Sequence, residues 1–85
     1  MKPVVSAVAD AVHSVLRDTG REAKPIEPAM LLAADLGLDS LDLAQTIVLL
    51  ERSLGVDPFR SAATSRTVRT VSDLVSIYEA ARAAS

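Results

Sequence analysis

Asp39-Ser40-Leu41-Asp42 sets a primary hydroxyl between two carboxylates near the middle of the chain. Such a serine can act as a nucleophile, accept a group attached by another enzyme, or cap a helix. Nucleophilic hydrolysis needs a base and an orienting group beside the hydroxyl. The sole histidine, His13, lies far away in sequence between Asp10 and Arg17. It is expected to be a surface residue without a role, and no catalytic residue is assigned. Metal binding has little support either: cysteine is absent, and Asp35, Asp39 and Asp42 do not follow the alternating pattern of a calcium loop. The three glycines stand far apart, so no phosphate-cradling loop is present. Asp and Ser are also favoured wherever a helix begins, which leaves simple capping open as a reading of the dipeptide.

The elements that must hold this hydroxyl follow from apolar spacing. Val5, Val8, Val12, Val15 and Leu16 form a stripe at helical period, ended by Thr19-Gly20. Pro25, Pro28 and Gly37 forbid one long helix in the next stretch, which is expected to be a long connection anchored by Ile26, Leu32 and Leu36. Pro28 could open a short helical turn through Ala34. A helix capped by Asp39 then starts at Ser40 and runs to about Leu54, where Gly55 and Pro58 stop it. Residues 59–69 show little periodicity and suggest at most a short helix. Thr70 and Asp73 resemble a capping box for a last helix with Val71, Leu74, Ile77, Tyr78 and Ala81 facing inward.

On the helix opened by Ser40, Leu43, Ile47, Leu50 and Leu54 fall on one side at about 100° per residue and are read as the core stripe. Leu41, Ala44 and Val48 fall on another side. They either pack beneath the long connection or form an exposed apolar strip beside Ser40. Thr46 carries a hydroxyl that either bonds back to the helix backbone or tunes a pocket.

Eighty-five residues suit one domain, 1–85. With 49% apolar but only 2% aromatic residues, the core must be aliphatic and the fold all-α. A four-helix bundle is expected, with three main helices, a short third helix and a long first loop. The formal charge of −2 argues against a nucleic-acid partner. No stretch approaches the roughly 18 apolar residues of a membrane span, so a soluble, unprocessed chain is expected. Its start at Met1 and end at Ser85 suggest a standalone protein, with an excised domain of a larger synthase as the alternative. Charge is uneven: residues 35–51 hold Asp35, Asp39, Asp42 and Glu51 with no Lys or Arg, whereas residues 52–69 hold Arg52, Arg60, Arg66 and Arg69 against Asp57. An acidic patch of this kind could steer a basic partner towards Ser40.

The run Asp35-Leu36-Gly37-Leu38-Asp39-Ser40-Leu41-Asp42, placed after a long loop and opening an amphipathic helix, resembles the acyl carrier proteins, and the order of elements agrees along nearly the full length. The resemblance implies a non-enzymatic, monomeric, cytoplasmic carrier. Ser40 would receive covalent 4'-phosphopantetheine from coenzyme A through a phosphopantetheinyl transferase. Asp39, Leu41 and Asp42 would be recognised by that transferase. Asp35, Ala44, Gln45, Val48, Glu51 and Arg52 would dock partners, and Thr46, Ile47 and Leu50 would line a possible acyl pocket. Partners would include an acyl-loading ligase or acyltransferase and a ketosynthase or other tailoring enzymes, in fatty acid, polyketide or other specialised-metabolite synthesis. Peptidyl carriers are relatives that commonly show Gly-Gly-x-Ser in place of Leu38-Asp39-Ser40. A helical scaffold with unmodified Ser40 is the rival from another class. The chain departs from the family in lacking a run of glutamates along the motif helix, in Thr46, and in the turn Gly55-Val56-Asp57-Pro58-Phe59.

Overall fold

The computed structural model describes residues 2–22, 24–59 and 68–84. They form helices α1 (Val4–Asp18), α2 (Ser40–Leu54) and α3 (Val71–Ala84). The only β-type pairing among them is an isolated antiparallel bridge between Leu31 and Thr70. The short helix expected within residues 59–69 falls largely on residues 60–67, outside the described residues.

Helix α1 packs against both α2 and α3, and this demand widens its buried face. Val4, Ala7, Val8, Ala11, Val12, Val15 and Leu16 are all buried. Ala7 and Ala11 take part because a small side chain lets the neighbouring helix approach closely. Val5, expected in the core stripe, is instead 56% exposed. It stands in the first turn, on the wall of a groove shared with Ile26, Pro28 and Val75, so its neighbours flank it without covering it.

The segment between α1 and α2 is pinned at several points. Leu32, Leu36 and Leu38 are buried, and Ile26 and Met30 pack partly against the same core. Leu32 N–H donates to Arg69 O at 2.8 Å, Val71 N–H to Met30 O at 3.0 Å and Ser72 N–H to Pro28 O at 2.9 Å. These bonds fasten the segment to the entry of α3. The helical turn expected from Pro28 through Ala34 is not continuous: residues 28–29 and 32–36 are separate turns with the bridge residue Leu31 between them, and in the second Asp35 N–H donates to Leu31 O at 3.0 Å and Gly37 N–H to Ala33 O at 2.9 Å. Gly37, at φ 68°, reverses the chain just before Leu38-Asp39-Ser40. That left-handed conformation suits glycine, which has no Cβ to clash with the following carbonyl.

The last helix starts as its sequence predicts. Thr70 N–H donates to Asp73 Oδ2 at 3.1 Å, and Asp73 N–H donates to Thr70 Oγ1 at 3.0 Å, a reciprocal capping box. Val71, Leu74, Ile77 and Tyr78 are buried along its inward face. The Tyr78 hydroxyl donates to Ile47 O across to α2 in a long bond of 3.4 Å, and its ring meets Phe59 with centroids 6.0 Å apart. Burial of the phenol, reinforced by the charges of Glu51 and Asp57, pushes its pKa up. Tyr78 is therefore a neutral core residue.

Candidate functional site

Ser40 is the first residue of α2 and is exposed. Preceding it, Asp39 is in extended conformation, φ −87° and ψ −176°, so its side chain folds over the first turn. Asp42 N–H donates to Asp39 Oδ1 at 2.8 Å, and Asp39 N–H donates to Asp42 Oδ2 at 3.2 Å. Two backbone donors that a helix start leaves without partners are thereby satisfied. At the other end, Gly55 at φ 70° donates its N–H to Glu51 O at 2.9 Å and closes the helix.

The orientation of α2 differs from the expected one. Its buried positions are Asp42, Thr46 and Leu50, spaced by four. Leu43, Ile47 and Leu54 are only half-buried. The core face is thus turned towards two polar residues, and the structure shows why this is tolerated. Asp42 Oδ2 also accepts from Arg21 Nη2 at 2.9 Å, so the carboxylate enters the interior with a cation and a backbone N–H attached. The Thr46 hydroxyl donates to Asp42 O at 2.9 Å, the bond back to the helix that the sequence allows. The Asp39 N–H chiefly, and Arg21 in addition, hold the Asp42 carboxyl below its ordinary pKa against the opposing effect of burial.

Asp42 consequently does not present its carboxylate to solvent: its side chain is 8% exposed. The acidity available on this side of the protein is that of Asp35, Asp39 and half-buried Glu51, less than the local charge sum suggests. Asp35 is exposed, but one carboxylate oxygen accepts Leu31 N–H at 2.7 Å and braces the turn below Ser40. Leu41 is 76% and Val48 46% exposed, and Ala44 between them is exposed as well. The apolar strip beside Ser40 therefore stands at the surface, flanked by exposed Gln45 and Arg52. Thr46 and Leu50 lie in the closed core, and Ile47 is half-buried beneath Tyr78.

Two features of the site depend on segments distant in sequence. Arg21 has no local pattern that links it to Asp42, 21 residues away, and only the tertiary fold joins them. An open groove of about 340 Å³ also borders Ser40, with walls from Leu31, Leu38, Leu43 and Val68. His13, assigned no role, donates from Nε2 to Lys24 O at 2.8 Å and ties α1 to the connecting segment. Among the described residues, no group of three or more His, Asp or Glu side chains could hold a metal, and no helix is long and apolar enough to cross a membrane.

Among the described residues the regular elements are all helices, and Ser40 stands exposed at a capped helix start beside an apolar strip and an open groove. Residues 6–75 match the phosphopantetheine attachment site family, and the chain belongs to it. No curated protein matches the chain significantly. Domains of this family carry 4'-phosphopantetheine covalently and are in general not catalysts themselves.

Proposed function

We propose that Ser40 bears the phosphopantetheine arm and that the chain is an acyl carrier protein serving fatty acid, polyketide or other specialised-metabolite synthesis. The observation that carries this reading is the exposed Ser40 at the first position of α2, inside the span that matches the attachment-site family. The bound arm would supply a terminal thiol on which an acyl intermediate is held as a thioester.

The residues around Ser40 suit the attachment. The backbone N–H groups and positive dipole end at the start of α2 would offset part of the negative charge of a phosphodiester on Ser40, by about 0.3–1 kcal/mol in exposed settings. Asp42 opposes this less than its position in the sequence implies, because Arg21 is paired with it. Asp39 locks the first turn, so the hydroxyl is presented on a rigid element. Leu41 remains free to enter a transferase, and Ala44, Gln45, Val48 and Arg52, with Asp35 and Glu51, form the surface offered to later partners.

In this reading residues 1–85 are a single, monomeric, cytoplasmic carrier domain of the four-helix type. The modifying enzyme is a phosphopantetheinyl transferase, and loading falls to a ligase or acyltransferase. The Leu38-Asp39-Ser40 sequence favours acyl over peptidyl cargo. Intact mass after incubation with coenzyme A and a broad-specificity transferase tests the assignment. A gain of one phosphopantetheine on the wild type and none on Ser40→Ala is expected; a folded wild type that gains nothing would refute it.

A further inference from the structure

We propose that the groove beside Ser40 seats the pantoyl portion of the arm, the branched segment with its geminal methyl pair next to the phosphodiester. This inference rests on Ser40 being the attachment residue.

Tethering is the first argument. Ser40 is itself a wall of the groove, and in phosphopantetheine only a methylene separates the phosphate from the quaternary carbon that bears the methyls. The branched carbon is therefore confined to the neighbourhood of Ser40, where this groove provides the apolar concavity. Its other walls are Leu31, Ala34, Leu38, Leu43 and Val68, aliphatic side chains matched to methyl groups. Leu31 is 40% exposed, an apolar surface that a seated ligand would cover. Asp39 and Arg69 also line the groove, one acidic and one basic residue, so its charge neither favours nor opposes the arm strongly and the apolar walls carry the fit.

The groove is also prebuilt. Its Leu31 side is held by the bridge to Thr70 and by Leu32 N–H donating to Arg69 O at 2.8 Å. Its Ser40 side is held by the capping box and the Arg21–Asp42 pair. Seating the arm there requires little reorganisation, which is the condition under which a small apolar contact yields net binding. A second groove, of about 240 Å³ between Val5, Ile26 and Val75, lacks Ser40 and serves as an internal control.

The test is nuclear magnetic resonance on the modified protein, prepared with pantetheine carrying ¹³C in the geminal methyls. Nuclear Overhauser contacts from these methyls to Leu31, Leu38, Leu43 and Val68 are expected, with methyl shifts between unmodified and modified protein at these residues and not at Val5 or Val75. Ala34→Glu, a substitution on the exposed wall, should abolish the contacts while leaving the remaining spectrum that of the folded protein. The wild-type contacts decide the matter even if this variant fails to fold. A protein whose mass shows the arm on Ser40, but whose pantoyl methyls resonate as in free pantetheine, overturns the groove assignment and leaves the carrier reading intact. Contacts made only by the distal end of an attached acyl chain overturn it equally. Absence of any mass gain removes the carrier reading, and this inference with it.

Discussion

Arg21 Nη2 donates to Asp42 Oδ2 at 2.9 Å, joining the segment that leaves α1 to the first turn of the helix that Ser40 opens. The same oxygen accepts the Asp39 N–H, so one carboxylate ties together the cap, the helix and the preceding loop.

This arrangement predicts how stability depends on pH. The folded-state pKa of Asp42 lies below its ordinary value of 3.8, so its stabilising contribution is fully present above that value and is lost as pH falls through the folded-state pKa. Replacing Arg21 by methionine removes one of the influences that depress it. The stability difference between wild type and Arg21→Met should be largest near neutrality and shrink once pH falls below 3.8. Urea titrations followed by circular dichroism across this range would show it; a difference independent of pH would contradict the pairing.

Thr46 is fully buried, yet its hydroxyl bonds to its own helix at Asp42 O. Replacing it with valine keeps the β-branched shape and removes a bond that competes only locally. Thr46→Val should change unfolding free energy by no more than about 1 kcal/mol. A loss of several kcal/mol in chemical denaturation would mean that the hydroxyl has a further partner.

Leu50 is the large aliphatic side chain that α2 buries completely. Leu50→Ala should cost about 2–5 kcal/mol through lost burial and the cavity left behind. Domains of this size have total stabilities of about 5–15 kcal/mol, so a markedly lowered thermal midpoint is expected in calorimetry.

Loss of the last helix's cap should be smaller. Thr70→Ala removes the acceptor for Asp73 N–H, a cost of about 1 kcal/mol. Because Thr70 also forms the bridge to Leu31, amide exchange should rise at Leu32 and Val71 as well as within α3. Exchange confined to the end of α3 would argue that the bridge is independent of the cap.

The exposed strip separates function from stability. Leu41→Ala and Val48→Ala should each alter stability by about 0.5 kcal/mol or less, as expected for surface positions. In the carrier reading, both should reduce the rate of arm attachment or acyl transfer at unchanged fold. Rates equal to wild type with the cognate transferase and loading enzyme would remove this surface from the docking proposal.

Much of the site was readable from local chemistry. Asp39 before an amphipathic run, Gly55 after it and the Thr70–Asp73 spacing each satisfy backbone groups of their own helix, so residues a few positions apart suffice to place both helix starts and the α2 stop. The serine's position at the first turn of α2 follows from the same reasoning.

Which face of α2 turns inward is a different kind of question. Apolar spacing pointed to Leu43, Ile47, Leu50 and Leu54, but the packed protein buries Asp42, Thr46 and Leu50. The cost of facing a carboxylate inward is offset by Arg21, which no local pattern connects to it. Val5 is exposed for a related reason: a stripe records periodicity, whereas coverage depends on where neighbouring elements end.

The residue order alone, then, specified an all-helical chain with a serine at a capped helix start, because caps, breakers and apolar period act over a few residues. The Arg21–Asp42 pair, the rotation of α2 and the groove walled by Leu31, Leu43 and Val68 arose only when distant segments packed together, since each depends on atoms brought within a few ångströms by the fold.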